Sequence, residues 1–560
     1  MAEAIVVSPP ARSLAREIRD FLNARLIHIF AFSLFALLAI FLLYPILAVL
    51  VKSFWGEDGF TLEYYAEFFS FNFYYWSFLN TIILGASTMA ALIVIGFGFA
   101  FLTTRGPVWL RTPLKIVALL PLVAPPYIFA ISLITLLGRN GFIHNLLKLD
   151  FSIYGWTGTI IAQILAFLPL SFMMIENVLN ALNPNLEDSA SDMGASEFKI
   201  IWFITLPLSA PGLLKAALLV FVMAIAEFGN PAILGGKIPF LAPDTYLMIT
   251  GEGRFDMASV LSVVLITPCI IIFIIHDYLL KGKGYTTIVG KPVAAEPRKM
   301  SALVLTPFLV VCLPVAIMVL ASFAVIFIGS VVKIVGVDNT VDWSHMANLQ
   351  SNLAIYNSVK VSLAAGLFGA VVGTLLSYVI MRGNFPGKKL MEVLALSGFA
   401  LPGTVIGVGY IIAFNRPPFL LTGTIWIIIL NCVFRFVAVG VEAGISKLHQ
   451  ISIEIEEAAA DLGADFVTTF FKIVLPIMFS AFIAGFIYTF MTTLMSLSSV
   501  IFLVTPGFDL ASVYIYLAAQ LGEMGVASAT TVKLIAIVAV SMALLKVLAR
   551  KTGLDVTKKV

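Results

Sequence analysis

The chain has 560 residues, 60% of them hydrophobic and 12% charged. A soluble domain carries about 25% charged residues to cover its surface, so most of this surface must face something other than water. The formal charge of +3, from 34 Lys and Arg against 31 Asp and Glu, is too balanced for a nucleic-acid binder.

Crossing a hydrocarbon core takes about 20 apolar residues in a helix. Runs that qualify lie near 27–51, 78–102, 114–138, 158–179, 213–236 and 257–280. A second set lies near 301–329, 354–381, 388–413, 423–446, 478–503 and 525–548. The expectation is an all-α integral membrane protein of about 12 transmembrane helices, six in each half. The runs are continuously apolar and do not alternate as barrel strands do. The first run is too long for a signal-peptide core of roughly 7–15 residues, so it is read as a retained span. Pro121, Pro125 and Pro126 in the third run and Pro402-Gly403 in the ninth are expected to kink their helices.

Basic residues in alternate loops give an orientation. With the N-terminus cytoplasmic, inside segments hold 24 Lys and Arg and outside segments hold seven. That excess places both termini inside. Residues 281–300, with Lys281, Lys283, Lys291, Arg298 and Lys299, read as a cytoplasmic linker between a first domain (1–280) and a second (301–560). The outer loops 52–77, 237–256 and 330–353 are long enough to receive a partner. The cluster Phe71, Phe73, Tyr74, Tyr75 and Trp76 suits an interfacial aromatic belt.

The halves repeat. Residues 80–106 align without gaps on 357–383, with Asn80/Asn357, Val94/Val371, Gly96/Gly373, Arg105/Arg382 and Gly106/Gly383 identical. A stronger block follows at an offset of 269. Residues 187–207 (EDSASDMGASEFKIIWFITLP) match 456–476 (EEAAADLGADFVTTFFKIVLP) at eight of 21 positions. The identities include Glu187/Glu456, Ala190/Ala459, Asp192/Asp461, Gly194/Gly463 and Pro207/Pro476. Each half begins and ends on the same side, so the two six-helix repeats are parallel, related by an axis along the membrane normal.

The repeated block has a physical reading. Acidic residues followed by alanine suit a first helical turn, where the macrodipole favours negative charge. Gly194 and Gly463 permit a left-handed backbone, so a second short helix can turn away. The Leu-Pro pair is expected to end that helix before the next span. Both copies fall in cytoplasmic loops (180–212 and 447–477), and the product is a helix pair shaped for a partner's groove.

This block resembles the coupling ("EAA") motif of permease subunits of bacterial binding-protein-dependent ABC importers. The resemblance covers nearly the whole chain, and two motifs in one polypeptide resemble a fused pair of permease domains. The layout is similar to the fused ferric iron permeases, with phosphonate permeases as relatives. The resemblance implies residence in the bacterial inner membrane, two copies of a cytoplasmic ABC ATPase at the motif loops, and a periplasmic solute-binding protein outside. The first copy reads Glu187-Asp188-Ser189 where the second reads Glu456-Glu457-Ala458, so the two docking sites differ in chemistry.

No catalytic or metal site is expected on the chain itself. The cysteines (Cys269, Cys312, Cys432) and five scattered histidines show no metal spacing. GNFPGKK at 383–389 is one residue short of a phosphate-binding loop and lacks its hydroxyl. ATP and Mg are therefore expected on the partner ATPase. An ion-gradient-driven transporter of twelve spans is the alternative, and it leaves the doubled cytoplasmic motif without a job. Ionisable groups within spans are costly. Glu227, followed by Gly229, Asn230 and Pro231, and its repeat equivalent Ser496, with Ser498, mark a polar patch expected to line the pathway. Arg435 is placed either against an anionic substrate or in a structural pair with Glu227 or Glu442.

Overall fold

The computed structural model describes residues 28–148, 151–280, 300–398 and 401–551. The linker expectation, apart from Met300, lies outside the described residues. Among the described residues the fold is helical, with two short antiparallel hairpins, Trp55–Gly56 with Gly59–Phe60 and Val332–Ile334 with Asp338–Val341. These hairpins follow the first span of each half, which repeats the internal symmetry in the loops.

Among the described residues ten helices are long and apolar enough to cross a membrane. Each of the other two expected spans is divided in two. Val108–Val123 and Ile128–Leu147 meet at 109°. Pro125 and Pro126 sit at that corner; a residue preceding proline is pushed out of the helical region, and Ala124 is extended. The ninth span comprises Lys388–Ser397 and Gly403–Phe414, the second starting after an extended Pro402. The expected kinks are thus full breaks.

The core of each half is a three-helix packing. In the first half the second span (Asn72–Thr104), fourth (Trp156–Ala181) and fifth (Glu197–Ala226) pack together; in the second, Leu349–Arg382, Ile425–Leu448 and Val467–Met495 do the same. Helices in lipid gain little from hydrophobicity alone, so close backbone approach and internal hydrogen bonds hold them. A Cβ on Gly485 would stand 3.0 Å from the Gly440 Cα. In the first half Ser171 Oγ donates to the Leu92 carbonyl at 2.8 Å, and Thr88 Oγ1 to Gln163 Oε1 at 2.8 Å.

The first span of each half packs on the other half. His28–Phe54 lies against Gly403–Phe414 and Ile425–Leu448, with Tyr410 Oη donating to the Phe41 carbonyl at 2.6 Å and the Phe41 and Phe434 rings stacked at 5.1 Å. Reciprocally, Ala302–Gly329 lies against Asn72–Thr104 and Ile128–Leu137, where Phe308 stacks on Phe101 at 4.9 Å. The two halves are interlocked by exchanged helices.

Candidate coupling loops and pathway

Both repeated blocks form the same structure. The first helix, Pro184–Asp192, and its counterpart Glu454–Asp461 each end on a glycine of positive φ, +85° at Gly194 and +91° at Gly463. Ala195 N–H donates back to the Ala190 carbonyl and Ala464 N–H to that of Ala459, each at 3.0 Å. This six-to-one bond over a left-handed residue is a Schellman closure, so Ala190, Gly194, Ala459 and Gly463 hold a tight reversal. Asp192 and Asp461 are exposed at its edge.

The glutamates of the motif do something the dipole argument did not anticipate. Glu187 is buried, accepts from Arg105 Nε at 3.3 Å and from Thr205 Oγ1 at 3.0 Å. Glu456 accepts from Arg382 Nε at 2.7 Å and from Tyr378 Oη at 3.0 Å, while Arg382 also reaches the Ile451 carbonyl at 3.1 Å. Arg105 and Arg382 close the second span of each half, so each loop is bolted to the membrane core by one ion pair, buried in the first half and part-buried in the second. Both arginines were visible as repeat identities, but nothing in the sequence paired them with the glutamates about 80 residues away.

The Leu-Pro expectation is overturned. The helix after each glycine runs without interruption into the next span, as Glu197–Ala226 and Val467–Met495. Immediately before Leu206-Pro207 and Leu475-Pro476 the helix widens into five-residue π segments, Ile201–Thr205 and Phe470–Val474. A proline lacks the N–H that would bond the fourth residue back and its ring crowds that carbonyl. The extra residue in the wide turn relieves this, so Pro207 and Pro476 are passed and do not stop the helix. Each loop is therefore rigidly continuous with the span behind it.

The tips of the two loops are apolar and exposed. Met193 is 87% exposed and its repeat equivalent Leu462 90%. Leu186 with Phe198, and Ile455 with Val467, are exposed beside them at matching offsets. The loops differ behind the tip. Glu197 accepts from Ser301 N–H at 3.0 Å and Oγ at 2.7 Å, which pins the first loop to the start of the seventh span. The second loop has Phe466 at this position.

The polar breaks lie at the other end of the same spans. The fifth and eleventh helices end at Ala226 and Met495, short of the expected 236 and 503. Glu227 terminates the first: its Oε1 accepts from Gly229 N–H at 2.8 Å and its Oε2 from Asn230 N–H at 2.9 Å, capping the short helix Gly229–Leu234. Gln163 Nε2 donates to the freed Ala224 carbonyl at 3.0 Å. In the second half Arg435 takes that supporting role. Its Nη1 donates to Ser496 Oγ at 3.3 Å and Ser499 Oγ at 3.0 Å, and its Nη2 to Ser498 Oγ at 3.4 Å. The ion pair with Glu227 or Glu442 does not form; Arg435 faces the serines because the helix breaks there and turns their hydroxyls toward it. Between the breaks the halves meet through aromatic rings: Phe228 against Tyr246 (5.6 Å) and Tyr516 (5.5 Å), and Tyr246 against Phe502 (5.6 Å).

On the outer side, Arg254 forms a two-pronged pair with Glu67 at 2.6 and 2.8 Å, which raises the Arg254 pKa above its ordinary value. In the aromatic cluster Phe71, Phe73, Tyr75 and Trp76 are exposed, whereas Tyr74 is buried.

Comparison with known proteins agrees with this geometry. Residues 92–284 match the family described as binding-protein-dependent transport system inner membrane component. The chain is 31% identical over 513 residues to the ferric transport system permease protein FbpB of Actinobacillus pleuropneumoniae, covering 89% of this chain and 74% of that one. It is 31% identical over 494 residues to a putative ferric transport system permease protein FbpB 1 of Haemophilus influenzae, covering 85% and 78%. A shorter relative, the molybdenum transport system permease protein ModB of Escherichia coli K12, is 30% identical over 205 residues, covering 35% of this chain and 90% of its own.

Proposed function

From the premise that the chain belongs to the family of inner membrane components of binding-protein-dependent transport systems, we propose that its two halves enclose a path for ferric iron, opened and closed by two copies of a cytoplasmic ATPase. It is a multi-pass permease of the bacterial inner membrane and not itself an enzyme. The family implies an ATPase and a binding protein as partners; the number of ATPase copies rests on the doubled loop. ATP and Mg then belong to that partner.

The observation that carries this reading is the pair of loops. Each has an Arg–Glu bolt, a glycine reversal, an exposed apolar tip and an unbroken helix into a core span. A push on Met193 or Leu462 is transmitted along a stiff lever to Glu227 or Ser496, where the spans break. With the termini and both loops cytoplasmic, the rings of Phe228, Tyr246, Phe502 and Tyr516 form an outer closure of the pathway, and Glu227, Asn230, Arg435, Ser496 and Ser498 stand beside it. The domain boundaries, 1–280 and 301–560, follow the repeat. Iron as cargo is supported by the two long relatives; molybdate and phosphonate are the competing cargoes.

The test is uptake by vesicles containing the chain with its ATPase and binding protein. ATP-dependent uptake of ferric iron is expected, with molybdate and phosphonate left outside. Uptake driven by a proton or sodium gradient without the ATPase would overturn the reading.

A further inference from the structure

Arg435 is a cation without a counter-charge. It lies within a membrane span, ten residues from the start of Ile425–Leu448, and among the described residues no carboxylate forms an ion pair with it. A second source of positive potential abuts it. A Cβ on Gly403, at the N-terminus of the helix Gly403–Phe414, would lie 2.6 Å from Arg435 Nη2. Helix N-termini carry about half a positive charge, so this end aggravates the cation instead of relieving it. The contrast with Glu227 is informative, because that carboxylate is fully served by two backbone amides of its own turn.

The serines do not neutralise the guanidinium; they accept from it. Once Ser496, Ser498 and Ser499 have each accepted from Arg435, every hydroxyl proton except those otherwise engaged is available to donate onward. Ser496 and Ser499 are buried, whereas Arg435 and Ser498 are partly accessible. Two further polar groups stand close in sequence. Thr404 Oγ1, next to Gly403, and both side-chain polar atoms of Asn431, one turn before Arg435 on the same helix face, are buried without a partner. Guanidinium, serine hydroxyls and helix N-terminus form the donor set that suits a compact anion.

We propose that Arg435, Ser496, Ser498 and Ser499 form a site for a small oxyanion. This rests on the permease reading in one respect only: within it, a bare trivalent cation would be repelled at this point, so iron passes Arg435 in the company of an oxyanion that screens its charge.

The test uses the purified assembly of permease and ATPase, with inorganic phosphate as probe. Saturable binding of radiolabelled phosphate is expected, weakened by about tenfold or more in Arg435→Gln, since charge-assisted bonds are the strong ones. Ser498→Ala, a partly accessible position where folding is little disturbed, is expected to weaken it about fivefold. Unchanged binding in Ser498→Ala and Arg435→Gln, or no saturable binding to the wild-type assembly, overturns the site. Double-label vesicle uptake then separates two sources of the same chemistry. Phosphate entering in proportion to iron marks an iron-borne anion and supports the full proposal. Phosphate bound but left outside marks a resident anion; that supports the site and overturns passage together with iron. Vesicles that bind phosphate but take up no iron with ATP refute iron as the cargo and leave the site standing.

Discussion

Replacing Glu456 by alanine removes the acceptor of two groups at once, the Arg382 guanidinium at 2.7 Å and the Tyr378 hydroxyl at 3.0 Å. Arg382 and Glu456 side chains are only 14% and 12% exposed, so the arginine left behind is largely cut off from water. Breaking a buried pair by removing one partner costs about 3–5 kcal/mol. The lower end applies here, because Arg382 keeps the Ile451 carbonyl. About 3 kcal/mol is a shift of roughly a hundredfold between the docked and released loop. Limited proteolysis in vesicles measures that equilibrium directly, with cleavage within 452–466 as the readout. ATPase co-purification should fall in parallel. The double variant Arg382→Met/Glu456→Leu removes the stranded charge and is expected to regain most of the protection, because apolar replacement of a whole buried pair is often neutral. Wild-type cleavage rates in Glu456→Ala would refute the idea that the pair bolts the loop, and so would a double variant as labile as the single one.

Other substitutions probe the remaining parts of the lever. Gly463→Val forces a β-branched residue into φ of +91°, at about 1–2 kcal/mol, and is expected to weaken ATPase association; normal ATP-driven uptake would count against the reversal. Met193→Asp combined with Leu462→Asp places charge on both exposed tips and should abolish ATPase co-purification without changing the amount of permease in the membrane. Pro476→Ala restores a donor N–H and permits a regular helix through 470–474, turning the loop relative to its span. Uncoupled ATP hydrolysis is expected, and fully coupled transport would show that the wide turn is incidental. Gln163→Leu strips the hydrogen bond from the Ala224 carbonyl and from Thr88, a loss of about 1–3 kcal/mol that a lowered Tm in detergent should register.

Ten of the twelve expected spans and the repeat were legible because both are carried by composition and by local motifs; the third and ninth runs are divided. The glycine reversals were legible too, since only that residue takes a positive φ without strain. What stayed hidden was pairing between distant blocks. Arg105 and Arg382 lie in one aligned block, Glu187 and Glu456 in another, and the offsets differ (277 and 269), so no single alignment connects them. The charged identity of the first block was the available signal: a shared arginine at the end of a buried helix calls for an acceptor somewhere. The helix end was misplaced at Pro207 for a different reason. Local propensity treats proline as a stop, and a π turn evades the rule by supplying one more residue. Glu227 reads from sequence as a charge adrift in a span, whereas it ends the span and starts the next helix. Asn230 follows it into that helix with its side chain fully buried. The Glu197–Ser301 contact joins segments over 100 residues apart and left no trace in either.

The exchanged first helices bear on how the chain is made. As residues 1–280 leave the ribosome, the groove between Asn72–Thr104 and Ile128–Leu137 has no occupant of its own, because its occupant is Ala302–Gly329. His28–Phe54 can already pack on Phe255–Leu280 of its own half, but its seat in the second half, Gly403–Phe414, is still untranslated. Synthesis is sequential and domains usually fold as they emerge; here the first half waits, lipid filling its groove, until the seventh span arrives. Fusing the halves sets the order of that arrival and supplies the missing helix at a fixed tether length, so that no half has to search the membrane for its mate.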